Sequence, residues 1–123
     1  MAAYNFQKRF VGPIRAGTKH HTIRADRVDG RVPKVGEPLA LYCGMRTKQC
    51  FKILDENPLC TRVEPIRIEY GEALRFVIIV DGCILDRGER ERLAQADGFK
   101  DFDKMMEFWR GRLPFEGNII HWR

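Results

Sequence analysis

Strand-like apolar patterns predominate before Asp86 and helical ones after it, a switch that limits the fold to a mixed α and β architecture. Leu39, Leu41 and Cys43 alternate with Ala40 and Tyr42, the period of a half-buried strand. Residues 74–80 are almost entirely apolar and β-branched, which predicts the central strand, and Asp81-Gly82 is a hairpin turn into Cys83-Ile84-Leu85. Residues 87–96 are charged and helix-favouring, with Gly98 as a stop. Residues 101–110 place Phe102, Met105, Met106 and Trp109 on one helical stripe, a core face rather than a cofactor box. Pro114 ends that helix, and residues 118–122 make a last short strand.

Upstream, residues 4–10 alternate weakly as a first strand. Val11 and Ile14 then stand at helical spacing around Pro13, with Gly17 supplying the positive φ that closes a short helix over residues 11–16. Residues 22–24 are extended, residues 25–35 read as a loop, and Val35-Gly36-Glu37 as a turn. A strand over residues 49–54 leads into the Asp55-Glu56-Asn57-Pro58 turn. In residues 61–70 the apolar phase changes across Pro65, which predicts a bulge or an edge there. A chain of 123 residues holds one core, so the expectation is a single α+β domain over 1–123: five to seven strands curled into a small barrel, with two or three short helices at its rim.

Composition removes several classes. Apolar residues at 44% and charged residues at 32% fit a globular protein rather than a disordered one. No window approaches the roughly 18 apolar residues of a membrane span, and the N-terminal residues lack the apolar run of a signal peptide, so a cytoplasmic protein without a membrane partner is expected. Cys43, Cys50, Cys60 and Cys83 include no Cys-x-x-Cys pair, which predicts reduced thiols and no metal or other cofactor. The net charge of +5 is unevenly spread: residues 1–52 carry eleven Lys/Arg against three Asp/Glu, and the remainder eleven against fourteen. A basic N-terminal face attracts phosphate-bearing partners, although a solvated lysine-rich face has the same composition.

Within that basic part, Gly17-Thr18-Lys19-His20-His21-Thr22-Ile23-Arg24 gathers an amine, two imidazoles, a hydroxyl and a guanidinium directly after a turn. On a regular strand His20, Thr22 and Arg24 share one face and His21 and Ile23 the other; Lys19 joins Thr22 only if it sits in the bend after Gly17. A lysine desolvated beside Arg24 loses proton affinity and becomes a base able to activate the Thr22 hydroxyl or a water. The plain alternative is a solvated Lys19 and a Thr22 chosen for strand propensity.

Phe10 with the short helix, Gly17-x-Lys19-x-x-Thr22-Ile23-Arg24, the Gly36-Glu37 turn, the strand ending at Gly44, and Ala96-Asp97-Gly98-Phe99 before the last helix together resemble the activating signal cointegrator homology (ASCH) domain. Gly44-Met45-Arg46-Thr47-Lys48-Gln49-Cys50 and the ending Gly117-Asn118-Ile119-Ile120-His121-Trp122 are similar to compact single-domain members of phages and bacteria. The resemblance implies a small barrel related to the PUA domain, the RNA-binding fold named for pseudouridine synthase and archaeosine transglycosylase, with a cleft for a modified nucleoside or single-stranded RNA. One bacterial relative is an N(4)-acetylcytidine amidohydrolase using a lysine, a threonine and a glutamate. These carry over to Lys19, Thr22 and Asp97, the last one methylene shorter than the family residue. On that reading Lys19 is the base, Asp97 orients it, Thr22 attacks or holds the attacking water, and Arg24 steadies the oxyanion. Other relatives are linked with RNA binding and cleavage. Lys19, Arg24 and Arg46 would then hold phosphate, His20 or His21 would serve as acid and base, and Tyr42 and Trp122 would stack a base. A protein-interaction module, with Phe99, Phe108 or Phe115 exposed, is the third possibility.

Overall fold

The computed structural model of the protein describes residues 2–123. A five-stranded antiparallel sheet runs in the order β2 (His21–Ala25), β8 (Phe115–Trp122), β5 (Cys60–Tyr70), β6 (Phe76–Val80) and β7 (Cys83–Ile84). A second sheet of three strands has β3 (Leu39–Cys43) at its centre, parallel to β1 (Ala2–Phe6) and antiparallel to β4 (Phe51–Lys52). Three helices complete the α+β fold: α1 (Val11–Ala16), α2 (Arg87–Ala96) and α3 (Phe102–Trp109).

Among the described residues eight strands form two sheets rather than one closed barrel, which corrects the expected single curled sheet of about five to seven strands. The strand expected over residues 49–54 is only the two-residue β4, and the hairpin after Asp81-Gly82 leads into the two-residue β7. The central strand is β5, not residues 74–80, because β5 is long enough to pair with β8 on one side and β6 on the other. Pro65 lies inside it without a bulge; the register shift falls between Cys60 and Arg62. Its carbonyl accepts from the Asp81 N–H at 2.9 Å, just beyond the last β6 pair, so its nitrogen faces the side where the β6 ladder stops and no bond to β8 is lost. The first strand ends at Phe6, where its partner β3 ends before Gly44, and residues 8–10 turn into a 3₁₀ helix instead of continuing extended.

The core lies between the two sheets and α3. Leu39, Leu41, Ile66, Ile68, Ile78, Ile119 and Met105 are almost fully buried. The helical stripe delivers Met105, Met106 and Trp109 inward, with Phe102 half-buried beside them. Asp86 and Glu89 form a reciprocal capping box at the start of α2, and Asp101 caps α3 by accepting from the Lys104 N–H. Glu91 on α2 accepts from the Phe102 N–H at 3.1 Å and so fixes the angle between the two helices. Among the described residues the four cysteines are free thiols, and no helix is long and apolar enough to cross a membrane.

Gly117 decides how closely β2 approaches β8. A Cβ there would collide with the Arg24 carbonyl oxygen and lie 2.8 Å from the Phe115 ring. We expect Gly117→Ala to force apart the pairing that carries Thr22 and Arg24, at about 3 kcal/mol, the upper end for overpacking. Thermal denaturation should show a melting temperature lower by roughly 10 °C. An unchanged melting temperature would mean the ladder gives way freely.

Candidate functional site

The turn after α1 brings the key groups together. Gly17 adopts φ +81°, and the Pro13 carbonyl accepts from the Thr18 and Lys19 N–H groups and from the Thr18 hydroxyl. This places Lys19 in the bend before β2 begins at His21, so strand alternation does not separate it from Thr22. Both line a cavity of about 180 Å³ together with Arg24, Asp97 and Phe10.

Lys19 is 2% exposed, and its ammonium donates to Asp97 Oδ1 at 2.6 Å and to the Asp97 backbone carbonyl at 2.7 Å. Asp97 is the C-terminal cap of α2, so Lys19 answers a carboxylate and one of the unsatisfied carbonyls that end the helix. The ring centroid of Phe10 lies 4.8 Å from Nζ and that of Phe6 5.9 Å away, which completes an enclosed, largely apolar setting. Burial pushes the Lys19 pKa below its ordinary value; the charge and hydrogen bond of Asp97 oppose this, and Arg24 and Arg9 add to the depression. Gly98, at φ +97°, permits the packing: a Cβ there would meet the Phe10 ring at 2.8 Å and the Lys19 stem at 3.3 Å.

Thr22 is buried, and its Oγ1 accepts from Arg24 Nε at 3.0 Å. An oxygen that accepts from a cation holds its own proton less tightly, and that proton remains free to be given away. Lys19 and Thr22 share no direct hydrogen bond, so a ligand atom or a water between them would complete the contact. Arg24 is itself held by donation to the Asn5 carbonyl at 2.6 Å and by the rings of Phe6 and Tyr4 at 4.8 and 5.2 Å. Burial raises the Tyr4 pKa to about 12 against the pull of Arg24. Between pH 10 and 12 the unfolded chain has lost this proton while the folded one keeps it, so stability falls with rising pH across that window. Tyr4→Phe should flatten that alkaline loss in urea titrations at successive pH values; an identical slope would refute the assignment.

The other residues singled out in the sequence divide. His21 is buried with Nε2 3.2 Å from Asp97 Oδ1, but off the direction of a hydrogen bond, and that nitrogen has no partner. His20 is exposed and faces a second, larger and more open cavity of about 740 Å³, shared with Arg62, His121 and Trp122. Lys19 borders both cavities, but Thr22, Arg24 and Asp97 meet only at the smaller one. Trp122 is a core residue stacked edge-on against Phe6, Tyr42 is half-buried outside the small cavity, and Arg46 is exposed on the turn after Gly44. Phe99 is buried and Phe108 and Phe115 half-buried, so these rings form no exposed patch. Among the described residues no three His, Cys, Asp or Glu side chains converge as a metal site.

The cavity has walls that the sequence reading did not assign to a site. Asn5 and Gln7 line it from the end of β1, and Phe99, Phe108 and Trp109 from the helical side. Periodicity marks Trp109 as core, and it is; the same buried stripe also ends at the cavity. Comparison with protein-family models, curated proteins and solved structures finds no match to this chain.

Proposed function

We propose that the protein hydrolyses an amide on a modified nucleobase of the N(4)-acetylcytidine type, using Lys19, Thr22 and Asp97. The observation that carries this reading is a buried amine of depressed proton affinity, oriented by a carboxylate, in one cavity with an activated hydroxyl. The two sheets are joined by the Pro38–Leu59 bridge, and the cavity opens beside them.

In the first step neutral Lys19 takes the Thr22 proton through a bridging water as Oγ1 bonds to the acetyl carbon, and the carbonyl electron pair moves onto oxygen. Arg24, already aimed at Thr22, stabilises the resulting oxyanion. The C–N bond then breaks, the exocyclic nitrogen recovers a proton from Lys19, and cytidine leaves. Lys19 then deprotonates a water, which adds to the acyl carbon; the C–Oγ1 bond breaks, acetate leaves, and Lys19 returns the proton to Thr22 Oγ1. Asp97 holds the ammonium formed in each half-reaction.

The volume of about 180 Å³ lies below the roughly 300–1,000 Å³ of sites that engulf a whole small ligand. It therefore matches a base and its acyl group, not a stretch of strand, which favours base-directed hydrolysis over RNA cleavage at the same groups. Incubating the purified protein with N(4)-acetylcytidine should yield cytidine and acetate, followed by the change in nucleoside absorbance. No acetate after hours with equimolar protein would overturn the proposal.

A further inference from the structure

We propose that Arg9 and Arg112, which lie outside the lining of the small cavity but against its aromatic wall, form a phosphate-recognising rim, so that the cavity's ligand is a nucleoside carrying phosphate on its sugar. The inference rests on the base-in-cavity reading above and extends it outward. Phe10, Phe99 and Phe108 line the cavity. The Arg9 guanidinium carbon lies 4.8, 5.0 and 5.8 Å from those three ring centroids in turn, and that of Arg112 lies 4.4 Å from Phe108. Two cations thus sit on the aromatic wall itself.

Both arginines are exposed, and among the described residues neither guanidinium has a carboxylate partner or a hydrogen bond. A guanidinium held over rings satisfies its faces and leaves its N–H edges for a planar or tetrahedral oxyanion. Short backbone bonds fix where the side chains start: Phe10 N–H to Gln7 O at 3.0 Å beside Arg9, and Arg112 N–H to Trp109 O at 2.9 Å. Because the cavity holds little more than a base, ribose and its 5′ substituent remain at this rim.

Calorimetric titration with cytidine, cytidine 5′-monophosphate and a short oligocytidylate tests the proposal without requiring turnover. The monophosphate should bind about tenfold or more tightly than cytidine, with an advantage that shrinks as salt is added. Arg9→Gln/Arg112→Gln should bring the two ligands close to parity, and Arg9→Lys/Arg112→Lys should retain part of the difference. Tighter binding of the oligomer than of the monophosphate would identify the source of the phosphate as an RNA chain, and equal binding a free nucleotide. Equal affinity for cytidine and its monophosphate, an advantage that survives the glutamine variant, or no binding of any of the three would overturn the proposal. Arginine-dependent nucleotide binding without acetate release would instead remove the hydrolase reading and leave this one standing. Circular dichroism melting of each variant guards against unfolding as the cause.

Discussion

Lys19→Met is expected to lower kcat for N(4)-acetylcytidine by about 10²–10⁴-fold, the range for losing a positioned acid–base group. Methionine keeps the stem that packs against Phe10 and Gly98, so the geometry of α1 and β2 should survive. The substitution also leaves Asp97, 7% exposed, without its cation, and removing one member of a buried pair costs about 3–5 kcal/mol. Urea unfolding should show that loss, and a companion Lys19→Met/Asp97→Leu variant should regain much of it while remaining inactive. Recovered stability without recovered turnover separates chemistry from architecture. Retention of kcat within tenfold in Lys19→Met would sink the assignment of the base. The pH dependence carries a second signature. Burial lowers the folded pKa of Lys19 below the 10.5 of a free lysine, so in the interval between the two values the unfolded chain holds a proton that the folded one lacks. Stability contributed by this group therefore rises with pH across that interval, and Lys19→Met should abolish the rise.

Asp97→Asn should move the acid limb of the pH–rate profile to lower pH while reducing the plateau rate by about tenfold or more. The two effects have separate causes. The Asp97 charge and hydrogen bond are what hold the Lys19 pKa up against burial, so removing them makes the amine neutral at lower pH. The carboxylate also fixes the direction of Nζ at 2.6 Å, and an amide in its place no longer stabilises the ammonium formed during each proton transfer. Rate against pH for wild type and variant decides the matter: a limb that stays in place, or shifts to higher pH, would show that Asp97 does not set the amine. Asp97→Glu restores the charge but adds a methylene where Gly98 already packs on Phe10 and Lys19, so only partial recovery is expected.

Several elements were legible because their causes are local. The helix at Val11–Ala16, closed by Gly17 in the left-handed region, follows from proline and glycine preferences within seven residues. The capped helix Arg87–Ala96 and the stripe of Phe102–Trp109 follow from side-chain oxygens at helix starts and from helical spacing. The strands were less legible where a partner decides them. Phe115 and Glu116 are extended because β5 pairs with them, and Gly117 because β5 and β2 grip it at once, and nothing in those residues announces it. Pro65 suggested an interruption, yet the neighbouring ladder simply stops on the side where its nitrogen points.

The order of residues along the chain determined that an amine and a hydroxyl three positions apart follow a glycine turn, and that an aspartate ends a helix 78 residues later. Such patterns depend on backbone preferences between near neighbours, which act before any long-range contact exists. Tertiary structure alone decided that Lys19 is buried against Asp97, and that Trp122 packs into the core while Phe108 borders the cavity. Burial and cross-sheet contact are properties of how two sheets and α3 close upon each other, and the proton affinity of one amine depends on that closure because desolvation has no counterpart in an extended chain.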